Sequence, residues 1–212
     1  MVNYQNIINK QKPNSTPTPY GLRVAFVAPA GIKKIADGVP SGDKWATGGN
    51  IVGFLNTGKF VECSITYVSS ISGITAGWYF WYFYSGDSSG TYKSITDPTG
   101  DGVALTLQNV NGTWKAKFQN TTDQTSVEYN ITNAPDVTLS LTVGSNRLMM
   151  ESSNPDCPDY VDFNQIDFDN FRYLQSNGSF TNQIPTTVGS SISSTLTGCI
   201  AITESTDKIY HT

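Results

Sequence analysis

Histidine is almost missing from this 212-residue chain: the one copy, His211, lies next to the C-terminal Thr212, where fraying is the default. That removes a Ser-His-Asp triad, a Cys-His pair and any multi-histidine metal site from the chemistry the chain could run. Charge is scarce too, at 14% of residues, with 13 Lys+Arg against 17 Asp+Glu and a net charge of -4. No basic run is present to neutralise phosphates, so nucleic acid is excluded as a partner. No uninterrupted apolar run reaches about 18 residues, which predicts no membrane-spanning helix. Cysteine is limited to Cys63, Cys157 and Cys199, enough for one disulfide with one thiol left over, at a spacing that fits no zinc ligand set. Neither a metal nor a cofactor is expected. The opening "MVNYQNIINKQKPNSTPTPY" is polar and rich in Pro, Ser and Thr towards its end, and reads as a mature N-terminus or flexible leader rather than a targeting signal.

Aromatic residues and turn chemistry are what the chain has in quantity. "GWYFWYFY" carries seven aromatic side chains in succession, Trp78 to Tyr84. In a strand, Trp78, Phe80, Tyr82 and Tyr84 share one face, and Tyr79, Trp81 and Phe83 share the other. Both faces are apolar, so the strand belongs inside a sheet covered on both sides, or between a core and a groove. Period-two runs recur at "GLRVAFVA", "NIVGFL", "KFVECSITYV", "GVALTLQNV", "TWKAKFQN", "SVEYNI", "DVTLSLTV", "NRLMMES" and "VDFNQIDFDNF". Turn signals separate them at "NTGK", "SGDSSG", "DPTGDG", "NVNGT" and "GSN". Short strands at regular spacing, with no amphipathic helix, predict an all-β antiparallel β-sandwich of jelly-roll type. Residues 1–19 read as an N-terminal arm and 20–212 as one domain, with 174–198 as an extended return or final strands. An exposed arm can pair with a neighbour's sheet edge, which keeps self-association open.

With histidine out of reach, carboxylates are the remaining catalytic candidates. Most acids lie in turns or at polar strand positions, whereas Glu62 in "KFVECSI" and Glu151 in "RLMMESS" interrupt apolar runs. Apolar surroundings disfavour ionisation of a carboxylate, a condition for general acid work; the plainer reading is that each points outward on its strand. Asp156, Asp159, Asp162, Asp167 and Asp169 crowd "NPDCPDYVDFNQIDFDNF", yet no EF-hand spacing is present. The favoured reading lines the solvent face with Asp162, Asp167 and Asp169 while Phe163, Ile166 and Phe168 point inward. Asp97 and Asp101 read as turn formers.

Several segments resemble the glutamic peptidases, the eqolisin or G1 family, in order along residues 45 to 171. "GWYFWYFY" is similar to that family's Trp-Tyr-Glu-Trp-Tyr-Pro strand. "VGFLNTGKFVECS" resembles its Val-Gly-Ile/Leu-x-Gly…Leu-Ile-Gln-Ala-Gly stretch and places Glu62 at the catalytic glutamine. "GDGVALTLQNVNGTWKAKFQNTTDQTSVEYNI" resembles its paired strands after a Gly-Asp turn. "SNRLMMESS" resembles its Asn-Ala-Glu/Trp-x-x-Glu segment and places the catalytic glutamate at Glu151. "VDFNQIDFDNF" resembles its Phe-x-x-Val-x-Phe strand through Phe163, Ile166 and Phe168. Three positions depart from the pattern: Glu62 replaces glutamine, Phe80 replaces the acid of Trp-Tyr-Glu-Trp-Tyr, and Ala76 replaces an acid two residues before Trp78.

The resemblance implies a secreted β-sandwich acid peptidase. Glu151 would act as general base on a water while protonated Glu62 donates a hydrogen bond to the developing oxyanion. Trp78, Phe80 and Tyr82 would line the substrate groove, with Tyr79, Trp81 and Phe83 in the core. The alternatives are a glycosidase with two glutamates across an aromatic groove, and a non-catalytic extracellular sandwich that binds glycan or peptide or builds an assembly. The expected partner is a polypeptide, as substrate or ligand, and the expected location is extracellular.

Overall fold

Alternating apolar and polar positions bounded by Gly, Asn and Asp turns fold as the period predicts, into strands. The computed structural model describes residues 2–11, 19–28, 33–34, 45–68, 73–150, 161–162, 165–181, 186–192, 200–203 and 208–211. In chain order the strands are β1 (Val2–Gln11), β2 (Gly21–Val27), β3 (Lys33–Lys34), β4 (Trp45–Leu55), β5 (Phe60–Val68), β6 (Gly77–Tyr84), β7 (Thr91–Ser94), β8 (Gly102–Val110) and β9 (Thr113–Asn120). They continue with β10 (Thr125–Ile131), β11 (Leu139–Met150), β12 (Val161–Asp162), β13 (Gln165–Asp167), β14 (Asp169–Leu174), β15 (Thr186–Ile192), β16 (Ile200–Thr203) and β17 (Lys208–His211). A seven-stranded sheet runs β15-β1-β11-β4-β5-β6-β7, and a five-stranded sheet runs β10-β9-β8-β2-β14. All their ladders are antiparallel. Two small sheets, β12-β3 and β13-β17-β16, lie outside them. No helix among the described residues is long and apolar enough to cross a membrane.

One face of each large sheet builds a shared core. From the seven-stranded sheet come Ile51, Leu55, Val61, Cys63, Ile65, Trp78 and Phe80; from the five-stranded sheet come Leu22, Val24, Phe26, Leu105, Leu107, Trp114 and Phe118. Each such side chain contributes roughly 1.5–3 kcal/mol by leaving water. Phe80 stacks on Phe118 at 6.0 Å and on Tyr129 at 6.2 Å, joining β6 to β9 and β10 across the layers. Phe26 packs onto Gly49, where an added Cβ would come within 2.7 Å of the ring, so β4 needs glycine for the sheets to approach. The β8–β9 hairpin closes on Asn111 and Gly112, both at positive φ (51° and 83°), the backbone a two-residue primed turn demands.

Two sequence expectations change. Residues 1–19 are not simply an arm: Val2–Gln11 form β1, paired on one side with β11 and on the other with β15. A polar segment does this because ladder bonds come from the backbone and need no apolar face. "GSN" is not a turn between two strands either: Gly144, Ser145 and Asn146 stay in β11, opposite Ile51, Asn50 and Gly49. Pairing on both sides of β11 overrides the local turn preference. Ile166 and Phe168 are buried in the core as expected, whereas Phe163 lies outside the described residues.

Candidate functional site

β5 alternates cleanly. Val61, Cys63 and Ile65 enter the core, so Glu62, Ser64 and Thr66 project from the opposite, outer face of the seven-stranded sheet. Glu62 nevertheless has no exposed surface, and neither has Asn50. Asn50 Nδ2 donates to Glu62 Oε1 from the neighbouring β4. Ser64 and Thr66 share a hydroxyl hydrogen bond of 2.7 Å on the same face.

The aromatic strand shows the reverse of the expected faces. Trp78 and Phe80 belong to the core, and Tyr82 packs against it, so they do not face an outer groove. Tyr79, Trp81 and Phe83 lie on the outer face, opposite Thr66, Ser64 and Glu62. The parity was correct but its direction was not, because both faces are aromatic and only pairing with the second sheet decides between them. On the outer face the rings form a continuous ribbon across four strands. Phe54 meets Phe60 edge-on at 5.9 Å, and Phe60 meets Phe83 at 5.9 Å. Phe83 stacks on Trp81 at 5.7 Å, Trp81 leans on Tyr92 at 6.0 Å, and Tyr92 meets Tyr79 at 6.0 Å. Trp81 is buried, closely approached by Gly90, whose Cβ would lie 2.1 Å from Nε1; the other five rings are half-buried. Asn50, Phe54, Phe60 and Tyr92 were not singled out by sequence, although Phe54 and Phe60 flanking "NTGK" mark a hairpin whose ends pair.

Glu151 lies outside the described residues, one position past the end of β11. Its neighbour Met150 pairs with Trp45, whereas the β11 position in the row of Glu62 is Val143, reached through Val52. Met150 is seven residues further along, roughly 23 Å at about 3.3 Å per residue. Glu62 is also the only acidic residue in the seven strands of this sheet. The strands themselves therefore supply no second carboxylate beside Glu62.

Elsewhere the acids do turn work. Asp97 Oδ1 accepts from the Thr99 N–H at 2.9 Å, and Asp101 Oδ2 accepts from Asn120 Nδ2 at 2.6 Å. Among the described residues no three His, Cys, Asp or Glu side chains converge as a metal site would require.

Cys63 is a buried free thiol on the core side of β5, its Sγ 3.9 Å from the Thr106 carbonyl oxygen on the other sheet; Cys157 and Cys199 lie outside the described residues. Burial, reinforced by the neighbouring Glu62 charge, holds its pKa well above the ordinary thiol value. The unfolded chain releases this proton at lower pH than the folded one, so stability should fall as pH rises past about 8.5, by up to roughly 1.4 kcal/mol per pH unit. Thermal melts from pH 7 to 10 should show this slope reduced in Cys63→Val; an identical slope in the two proteins would refute the assignment.

No family model and no curated protein matches the sequence. Solved structures do. Scytalido-glutamic peptidase with a peptide-based transition state analog superposes with a TM-score of 0.55 at 13% identity, covering 99% of this chain and 98% of that one. The same peptidase with a transition state analog inhibitor gives 0.55 at 14%, with the same coverage. SCP-B, an eqolisin in complex with the tripeptide Ala-Ile-His, gives 0.49 at 14%. Identity at this level speaks for architecture, and it covers nearly the whole chain, including the terminal strands that the sequence resemblance did not reach. By fold, the chain is a glutamic-peptidase-like β-sandwich.

Proposed function

We propose that the protein is a non-catalytic polypeptide-binding sandwich, working outside the cell, that holds an extended chain on the outer face of its seven-stranded sheet. The observation that carries this reading is the ribbon Phe54–Phe60–Phe83–Trp81–Tyr92–Tyr79, which reaches from β4 to β7. β7 (Thr91–Ser94) lies at the margin of the sheet beside β6 and carries Tyr92 onto the ribbon. An extended peptide laid across this face sets alternate side chains against Tyr79, Trp81 and Phe83, the outward positions of β6. Large, rigid aromatic side chains give contact area at low conformational cost, which is why they concentrate at interfaces. What counts against hydrolysis at Glu62 is its burial: the carboxyl group is shut from solvent and accepts from Asn50 on β4.

The test uses a fluorescent, reduced and alkylated casein as the unfolded polypeptide. Anisotropy should report saturable binding, with Tyr92→Ala and Phe83→Ala each weakening it about tenfold or more, as hot-spot aromatics do. Incubation from pH 2 to 7 should leave the casein intact. Cleavage by wild type that disappears in Glu151→Gln would overturn this proposal and restore the acid-peptidase reading, in which Glu62→Gln should extend activity to higher pH because an amide donates at any pH. Secretion is checked separately by fractionating the source cells.

A further inference from the structure

The opposite side of the molecule, the outer face of the five-stranded sheet, concentrates positive charge on a chain whose net charge is -4. Register sets Arg172, Arg23, Thr106, Lys117 and Glu128 in one row across β14, β2, β8, β9 and β10. Gln108 and Lys115 pair in the next row on one side, and Gln119 lies in the row on the other. Two of the four cations have local partners: Lys115 Nζ is 2.8 Å from Glu128 Oε1, and Arg172 Nη1 donates to the Phe171 carbonyl at 2.9 Å. Arg23 and Lys117 have no carboxylate partner among the described residues. Thr106 lies between them in the row and is 7% exposed, so two long cationic side chains flank a short hydroxyl floor about 9–10 Å wide from Cα to Cα.

A wall stands beside them. The turn after β14 folds back so that Phe180 bridges to Leu174, with the Thr181 N–H bonded to the Tyr173 carbonyl at 2.9 Å. Among the described residues Phe180 is an exposed large apolar side chain, at 48%, and the Arg23 guanidinium sits 5.5 Å from its ring centroid. The result is a cleft of about 360 Å³ lined by Arg23, Thr106, Gln108, Lys117, Gln119 and Phe180, with Glu128, Leu174 and Gly178 completing its margin.

We infer that this cleft is a second binding site, which takes an acidic peptide presenting a carboxylate to Arg23 and Lys117 and a neighbouring apolar side chain to Phe180. The site is distinct from the aromatic ribbon, on the other sheet, and stands whether or not the ribbon binds. The Arg23 guanidinium lies over the Phe180 ring, and its fork of N–H donors matches a carboxylate in two parallel bonds. Partial burial lowers its pKa, a desolvation cost that an incoming anion would offset. Gln108 and Gln119 each offer an amide donor and an amide acceptor, the complement of a peptide group. Glu128 does not close the cleft to anions because Lys115 already pairs it. The overall negative charge of the chain repels acidic ligands at long range, so binding of such a peptide has to come from local groups.

The experiment follows two labelled hexapeptides by fluorescence anisotropy, one alternating Glu and Leu and one alternating Gln and Leu. The acidic peptide should bind and weaken as salt rises from 50 to 200 mM, while the neutral one should bind at least tenfold less tightly. Arg23→Gln should weaken the acidic peptide about tenfold or more and Lys117→Gln several-fold. Arg23→Lys, which keeps the charge and removes the fork, should fall between wild type and Arg23→Gln and guards against a folding defect. Lys59→Gln, an exposed cation in the β4–β5 turn, should leave acidic-peptide affinity unchanged. Equal binding by wild type and Arg23→Gln, equal affinity for the two peptides, or full displacement of the acidic peptide by an equally charged oligogalacturonate would overturn the assignment.

Discussion

Phe80→Ala is expected to cost about 3–5 kcal/mol of folding stability, the range for removing a large aromatic side chain from a packed core. The residue has no exposed surface and lies in the middle of the sandwich, stacked on Phe118 and Tyr129 of the facing sheet. Truncation leaves a cavity between two rigid layers, each tied by its own ladders, so neither can collapse to fill it. At roughly 2–4 °C per kcal/mol for a domain of this size, the melting temperature should fall by roughly 6–20 °C. Phe83→Ala, three residues along the same strand on the other face and half-buried, should cost only about 1 kcal/mol, the ordinary scale for a site away from the core. Differential scanning calorimetry of the two variants decides the orientation of β6 directly. A smaller loss in Phe80→Ala than in Phe83→Ala would show the strand facing the other way.

That comparison marks where the sequence could be read and where it could not. Strands β2, β5, β8, β9 and β10 were legible because period-two alternation and Gly or Asn turns agree with their final pairing. For β6 the alternation yields two apolar faces, and nothing local says which meets the second sheet. β1 was hidden because its sequence, "VNYQNIINKQ", carries no strong apolar stripe, and its place is set by backbone pairing with strands more than a hundred residues away. Glu62 was found as a lone acid in an apolar run, but Asn50, whose amide it accepts, lies in another strand and inside a Gly-rich segment that offers no signal. The cationic cleft is less legible still. Arg23, Thr106, Lys117 and Phe180 come from three strands and a turn spread over most of the chain, and only the register of the five-stranded sheet brings them together.

The Asn50–Glu62 contact gives the second large expected effect. Asn50→Leu removes one donor from a carboxylate that has no access to water, and leaving a buried charged group short of a partner should cost about 3 kcal/mol or more. Glu62→Met removes the acceptor instead and takes one bond from the Asn50 amide, a neutral group, at about 1–3 kcal/mol. The double variant replaces the pair with two apolar side chains of similar size, facing Val52, Ser64 and the aromatic ribbon. Such replacements of buried polar pairs are often close to neutral, so the double variant should be more stable than Asn50→Leu alone, and the coupling energy in the urea-melt cycle should approach the sum of the two single losses, about 4 kcal/mol or more. Additive losses would mean that the two residues do not act on each other and that Glu62 depends on other groups. The outcome also bears on function. If the pair is purely structural, the double variant should bind casein as wild type does, because the ribbon rings remain in place; loss of binding in a variant that melts normally would make Glu62 part of the recognition surface.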